Sequence, residues 1–137
     1  MKISTKGRYS LALLIEIEKN KDKDKDKDKE YTSIKIISEN LNLSMKYLEK
    51  IANILVKNKL LDVSRGKQGG YKLVKSINEY TVGEVLRLTE KNMETTKCIS
   101  NTNECKLNPE CKKYLIFKGL DDAISNYLDN INLNELV

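Results

Sequence analysis

The chain of 137 residues contains no histidine and no tryptophan. Histidine is the usual general base of enzymes and the commonest imidazole ligand of metal ions, so its absence argues against a hydrolase or transferase. No run of about 18 apolar residues occurs, and the N-terminus lacks the apolar segment and small-residue cleavage site of a signal peptide. We therefore expect a soluble, cytoplasmic protein that is not an enzyme and does not bind a membrane.

Cysteine is scarce, and all of it lies in one segment. The three cysteines are Cys98, Cys105 and Cys111. An odd number in a chain without a secretion signal argues against a disulfide framework. Three thiolates in one short loop can converge on an iron-sulfur cluster or on zinc, and their spacing does not separate the two. The alternative is that they are unligated thiols in a loop.

The positive charge is confined to the first part of the chain. Residues 1 to 75 contain 18 Lys/Arg against 10 Asp/Glu, a net charge of +8, whereas residues 76 to 137 contain 7 against 10, a net charge of −3. A basic half indicates a polyanionic partner such as nucleic acid, and a lysine-rich solvated surface is the alternative. Lysine and aspartate alternate from Lys21 to Lys29, a pattern typical of a solvated loop.

Apolar spacing predicts three helices in this basic part. The first runs from Gly7 to about Asn20. Two short helices follow across a tight turn, one capped by Thr32-Ser33 and the next by Ser44. The exposed stripe of the third helix is polar and mainly basic: Lys46, Lys50, Asn53 and Lys57. This arrangement predicts a helix-turn-helix whose second helix enters the DNA major groove.

Alternation then replaces helical spacing and predicts a β-hairpin. Leu61–Ser64 and Tyr71–Val74 are the predicted strands, and residues 65 to 70 form a glycine-rich basic tip. A basic hairpin that follows a helix-turn-helix is typical of a winged helix, whose tip suits phosphates or the minor groove. Simple turn chemistry also explains Gly69-Gly70, and both interpretations can hold together.

Helices are also predicted in the last part of the chain. Thr81 and Glu84 match a capping box that starts a fourth helix. Asn108-Pro109 is typical of a helix start, which would place Cys111 in the first turn. That last helix has one apolar face suited to subunit pairing: Leu120, Ile124, Leu128 and Ile131.

We thus predict a mainly α fold with a small β-hairpin. Residues 1–80 would form a winged helix-turn-helix DNA-binding domain, with a low-complexity Lys/Asp loop at residues 21–30. Residues 81–137 would add a helix, a cysteine cluster loop and a long dimerisation helix.

Four stretches of the chain resemble one family, the IscR/NsrR/CymR (Rrf-type) regulators of bacterial transcription. They are MKISTKGRYSLALL, SMKYLEKIANILVKNKLL, the wing SRGKQGGYKL with TVGEVLR behind it, and YLDNINLNELV. The resemblance implies a homodimer that binds double-stranded DNA. By position it implies that the major groove is contacted by Ser44, Lys46, Tyr47 and Lys50. It implies that the DNA contacts of the wing are made by Arg65, Gly66, Lys67, Gln68 and Gly69. It also implies that Lys6 and Arg8 contact the DNA backbone.

The resemblance also implies an iron-sulfur cluster, 2Fe-2S or 4Fe-4S, on Cys98, Cys105 and Cys111. Many of the related sensors have a histidine three residues after the last cysteine, where this chain has Tyr114. Some nitric-oxide-sensing relatives use an acidic residue near the partner's N-terminus, where this chain has Arg8. The fourth ligand is therefore open between Glu104, Glu110, Tyr114 and an exogenous thiol.

These patterns and the resemblance together predict a sequence-specific DNA-binding transcription regulator. It would be a repressor or dual regulator that senses iron-sulfur status, redox stress or nitric oxide through a cluster. The first alternative is a regulator of cysteine metabolism that has no cluster and is controlled by a protein partner. The second is a small iron-sulfur carrier or redox protein, for which the basic wing would have no use.

Overall fold

The computed structural model describes residues 1–21, 30–100 and 111–137. Helices dominate it: α1 (Thr5–Asn20), α2 (Ile34–Leu41), α3 (Met45–Lys57), α4 (Val82–Thr89), α5 (Lys97–Ser100) and α6 (Lys112–Asp129). One antiparallel hairpin joins β1 (Leu61–Ser64) to β2 (Gly70–Leu73). Short 3-10 turns occupy Ile77–Glu79 and Leu133–Leu136. The prediction of a mainly α fold with a small hairpin is confirmed, and most of the Lys/Asp tract, residues 22–29, lies outside the described residues.

Serine caps begin each of the first three helices. Ser4 Oγ accepts from the Gly7 N–H at 3.1 Å, and Ser33 and Ser44 do the same for the third residue after them. Each serine thereby satisfies a backbone donor that the helix leaves unpaired. Because the cap is Ser4, α1 begins at Thr5, two residues before the predicted start. Between α2 and α3, Asn42 adopts a left-handed conformation with φ 52°, which makes the predicted tight turn.

The hairpin is extended by a short pairing with the residue before α2. Thr32 and Tyr71 exchange two backbone hydrogen bonds, of 2.9 and 2.8 Å. A Cβ at Gly70 would lie 2.1 Å from the Thr32 carbonyl oxygen, so this approach requires glycine. Strand β2 spans Gly70–Leu73, so the predicted strand Tyr71–Val74 is wrong by one residue at each end. The Val74 N–H donates to the Tyr80 hydroxyl as well as to the Leu60 carbonyl.

One apolar core lies between α1, α3, α4 and the base of the hairpin. Its buried side chains include Leu13, Leu14, Ile37, Leu48, Ile51, Leu55, Leu61, Tyr80, Val85 and Leu133. The apolar faces predicted from spacing in the first four helices supply most of them. Helix α3 is therefore held on its apolar side, and its polar stripe faces outward.

Helix α4 begins at the predicted residue but without the complete capping box. Thr81 Oγ1 accepts from the Glu84 N–H at 3.2 Å. The Glu84 carboxylate does not return a bond to the cap, because it pairs with Lys75 Nζ at 3.1 Å. The prediction of a reciprocal box is therefore wrong in its second half. At the other end of α4, Arg87 pairs with Asp129 and fastens α6 to this helix.

Helix α6 has one side against the core and one side in solvent. It begins at Lys112 with Cys111 as its N-cap, so the prediction that Cys111 lies in the first helical turn is wrong by one residue. Asn108 and Pro109 lie outside the described residues. Leu128 and Ile131 pack against the core, whereas Leu120 is exposed. Across the described ranges, no helix has the length and apolar character needed to span a bilayer.

Candidate nucleic-acid interface

The outward face of α3 is a polar stripe. Lys46, Lys50, Asn53 and Lys57 are all exposed, as their spacing of four, three and four residues predicts. Their apolar neighbours Leu48, Ile51, Ala52 and Leu55 are buried and fix the orientation of the stripe. Three of the four stripe residues are lysines, so this face presents positive charge along three turns of helix.

Two of the predicted contact residues have structural roles at the start of α3. The Ser44 hydroxyl caps the helix. The Tyr47 ring is half-buried and packs edge-to-face on Tyr9 of α1, with 5.9 Å between ring centroids. An edge-to-face aromatic pair of this kind stabilises the contact between the two helices. The start of α3 is thereby braced on the start of α1.

Lys6 and Arg8 lie in the first two turns of α1, beside this brace. Arg8 is exposed, and its guanidinium donates to Thr5 Oγ1 at 3.3 Å, while Lys6 is half-buried. Because Arg8 precedes Tyr9 directly, its backbone lies close to the aromatic contact with α3. Both cations are therefore close in sequence to Tyr9, which contacts the start of α3.

The tip of the hairpin is a tight turn with exposed polar side chains. The Gly69 N–H donates to the Gly66 carbonyl at 3.0 Å, which closes the turn. Gly66 has φ +108°, and a Cβ at Gly69 would lie 2.4 Å from the Ser64 carbonyl oxygen, so both positions favour glycine. Arg65, Lys67 and Gln68 are exposed. The turn therefore projects two cations and one amide into solvent.

A groove joins the wing tip to α3. Glu49 and Asn53 of α3 line one wall, and Arg65 and Lys67 line the other. The first residues of α2, including Lys35, also line the groove. Asn53 is the residue of the α3 stripe that lines this groove, and Lys46 and Lys50 lie on the same helix face as Asn53. Gly66 and Gly69 line the same groove.

Glu49, like Lys35, is a charged groove residue that the sequence prediction missed. It is exposed, and its charge acts after burial as the second cause that raises the pKa of Tyr71 on β2. The sequence signal that could have identified it is its position three residues after Lys46 and one before Lys50, beside the basic stripe of α3. A carboxylate between cations repels phosphate, and it can accept a hydrogen bond from the cytosine amino group.

Two lysines at the base of the wing are already paired within the chain. Lys72 Nζ binds Glu30 at 2.7 Å and lies 4.8 Å from the Tyr31 ring centroid. The hydrogen bond that Lys72 donates to Glu30 is the main reason that the pKa of Lys72 is raised. Lys75 pairs with Glu84. Within the described ranges, the wing cations that have no ion pair are Arg65 and Lys67 at its tip.

Of the three cysteines, the structure describes Cys98 and Cys111. Cys98 lies in the single turn α5, Cys111 is the N-cap of α6, and both are half-buried. Cys105, Glu104 and Glu110 lie outside the described residues. Among the residues that are described, no three His, Cys, Asp or Glu side chains form a metal-binding group. Helix α5, which contains Cys98, contacts α6, which Cys111 caps. Thiol sulfur is a ligand type that soft metals and iron-sulfur clusters accept.

The chain matches one protein family along almost its whole length. The family model "Rrf2: Iron-dependent Transcriptional regulator" matches residues 3–137. The HTH-type transcriptional regulator IscR of Pectobacterium carotovorum subsp. carotovorum (strain PC1) is 31% identical over 137 residues, which cover 100% of this chain and 79% of that protein.

Solved structures of similar proteins share the fold. CymR (YrzC), the global cysteine regulator of B. subtilis, is 30% identical with a TM-score of 0.77, covering 99% of this chain and 95% of that one. T. potens IscR is 25% identical with a TM-score of 0.73, covering 99% of this chain and 85% of that one. The winged helix-turn-helix architecture is therefore shared along the described chain.

Proposed function

This chain belongs to the Rrf2 family of transcription regulators, and from that premise we propose that it binds double-stranded DNA as a homodimer. The observation that carries the proposal is the groove in which the wing tip and the outward face of α3 meet. Helix α3 would enter the major groove while Arg65 and Lys67 reach the phosphates or minor groove beside it. We assign DNA binding to residues 1–80 and dimerisation and sensing to residues 81–137.

The dimer would form on α6. None of its residues is fully buried, and Ile116 and Tyr127 are 68% and 69% exposed. With Leu120 and Ala123 they form a stripe on one side of the helix. An apolar groove lined by Met1, Ile3, Ala123, Ile124, Tyr127 and Leu128 continues this surface. We propose that the same stripe of a second chain, related by a two-fold axis, covers this surface. That arrangement also places the two wings of the dimer on a palindromic operator.

Salt dependence tests the DNA face. Each phosphate contact that a lysine or arginine makes contributes roughly 0.9 to the slope of log affinity against log salt. Lys50→Ala and Arg65→Ala are expected to reduce the slope by about that amount each. Lys91→Ala, at an exposed position outside the groove, is the control and should leave it unchanged. Unchanged slopes in both test variants would contradict the assigned face.

We further propose that Cys98, Cys105 and Cys111 bind an iron-sulfur cluster and that its occupancy sets repression. Thiolates are the ligands that such clusters require, and Cys98 and Cys111 lie on two elements that pack together. A cluster with an incomplete set of protein ligands is labile, which suits a sensor of iron-sulfur status, redox stress or nitric oxide. When bound, the cluster supplies the redox-sensitive chemistry, and the chain holds it beside α6.

Anaerobic purification tests the cluster. A brown protein with iron and acid-labile sulfide in stoichiometric amounts, lost on Cys98→Ser or Cys111→Ser, is the expected result. Tyr114→Phe then tests the fourth ligand, because replacing a ligand changes the visible spectrum whereas replacing a bystander does not. A colourless wild-type protein without metal would contradict the cluster proposal.

A second candidate is favoured by the structural similarity to CymR. In this version the chain has no cluster, and a protein partner controls its affinity for DNA. Affinity capture from cell extract followed by an operator-binding assay tests it. A purified partner that changes operator affinity while the regulator stays metal-free would support this candidate.

A further inference from the structure

The segment that precedes Cys98 is fastened to α6 by one carboxylate. The Thr95 N–H donates to Asp121 Oδ1 at 3.0 Å, across 26 residues of sequence. Cys98 follows three residues later in α5, which itself contacts α6. The position of Cys98 is therefore coupled to α6 both through this bond and through the contact of α5.

The same contact contains polar atoms whose hydrogen bonding is incomplete. Asp121 Oδ2 and the Oγ1 atoms of Thr95 and Thr96 are buried and have no hydrogen-bond partner within the described ranges. A buried polar atom without a partner raises the free energy of the arrangement that buries it. One specific bond thus attaches the segment around Thr95 to α6, but the unpaired polar atoms raise the free energy of the attached state. We therefore expect this attachment to open more easily than the contacts of the core.

The next aspartate along α6 has a different environment. Asp122 is exposed and pairs with Lys118 one turn earlier. It makes no hydrogen bond to the segment around Thr95 among the described residues. We call the bond from the Thr95 N–H to Asp121 Oδ1 the clamp. Variants at the two adjacent aspartates can therefore separate the effect of the clamp from the effect of a negative charge on this part of α6.

We propose that Asp121 is a positioning residue for Cys98. The carboxylate of Asp121 couples the segment that contains Cys98 to α6. The regulatory meaning of this coupling rests on the proposed function, in which Cys98 is a ligand and α6 joins the subunits. The clamp itself needs neither a cluster nor DNA, so its test can fail while the proposed function stands.

The alkylation rate of Cys98 tests the clamp in the full chain. With Cys105→Ser and Cys111→Ser in place, Cys98 is the single thiol, and iodoacetamide reports its accessibility. Asp121→Ala is expected to raise the rate by about twofold to tenfold, the factor that one hydrogen bond supplies. Asp121→Asn should stay near the parent rate, because the amide oxygen still accepts from Thr95. Asp122→Ala should also stay near it.

The Asn variant separates position from charge. If the lost negative charge alone activated the thiol, Asp121→Asn and Asp121→Ala would accelerate alkylation equally, and the proposal would be overturned. Hydrogen exchange of the Thr95 amide is the second measurement, with protection expected in the parent and the Asn variant and lost in the Ala variant. Unchanged exchange and alkylation in Asp121→Ala would also overturn it, with thermal unfolding used to confirm that each variant is folded.

Discussion

The hydroxyl of Tyr80 joins three parts of the winged domain. It donates to the Leu60 carbonyl at 2.7 Å and accepts from the N–H groups of Val74 and Lys75, both at 3.2 Å. Tyr80→Phe leaves all three backbone groups without this partner, and we expect the free energy of unfolding to fall by roughly 1–3 kcal/mol. Chemical denaturation measures it. Tyr71→Phe is the matched control, because the Tyr71 ring is buried but its hydroxyl makes no hydrogen bond in the described chain.

The same hydroxyl gives the stability a predictable dependence on alkaline pH. Burial is the main cause that raises the pKa of Tyr80 in the folded state. The neutral hydroxyl therefore makes its full contribution to the free energy of unfolding below about pH 10, the pKa of an unfolded tyrosine. This contribution is lost as the pH rises through the pKa of Tyr80 in the folded state. The stability difference between wild type and Tyr80→Phe should shrink above about pH 10. A difference that stays constant to pH 11 would contradict this assignment.

Glu49 is expected to limit binding to arbitrary DNA. Its carboxylate lines the groove with Arg65 and Lys67, where it opposes the approach of phosphates. Glu49→Gln should therefore tighten binding to a random duplex at low salt by up to about tenfold, and the gain should fade as salt increases. Fluorescence anisotropy over a salt series measures it. Glu135→Gln, outside the groove, serves as the control, and a loss of affinity in Glu49→Gln would refute the repulsive role.

At the scale of elements, the wing depends on the geometry of its turn as well as on its charges. A Cβ at Gly69 would lie 2.4 Å from the Ser64 carbonyl oxygen, so Gly69→Ala must open the turn that presents Arg65 and Lys67. We expect operator affinity to fall by about tenfold or more, roughly 1.4 kcal/mol, in a chain that still folds. Gln68→Ala removes one side chain from the same turn without altering it, and should cost less. Equal affinity in the two variants would show that turn geometry is unimportant.

Elements whose boundaries depend on local chemistry were predictable from sequence. Apolar spacing and serine caps place α2 and α3 at their observed residues, because caps and helical periodicity act within a few positions. Contacts between distant residues were not predictable in this way. The Glu90 carboxylate accepts from Ser4 across 86 residues, and Glu84 binds Lys75 instead of completing its capping box. No local pattern specifies which partner such a carboxylate finds.

The candidate site shows the same division. The polar stripe of α3 and the basic wing tip follow from periodicity and glycine spacing. The brace between Tyr47 and Tyr9, and the position of Glu49 in the groove, depend on how α1, α3 and the hairpin pack together. The apolar face predicted for α6 is divided for the same reason, since Leu128 packs on the core of its own chain and Leu120 does not.

At the scale of the whole molecule, α6 links the two functions proposed for the chain. Near its C-terminal end Asp129 pairs with Arg87 of α4, and its N-cap is Cys111. Its solvent side presents Ile116, Leu120 and Tyr127. A partner on that side would hold two winged domains at a fixed separation, and a change at the cysteines would alter that separation.

This arrangement predicts that subunit pairing and operator binding are lost together. Ile116→Asp places a charge in the exposed stripe, and because Ile116 is 68% exposed the chain itself should remain folded. Sedimentation should then give the single-chain mass of 15.7 kDa where wild type gives twice that mass. Affinity for a palindromic operator should fall towards that for one half-site, because half-sites about 34 Å apart need two linked recognition helices. Ser125→Asp, half a turn from the stripe, should remain dimeric, and an Ile116→Asp dimer would place the interface elsewhere.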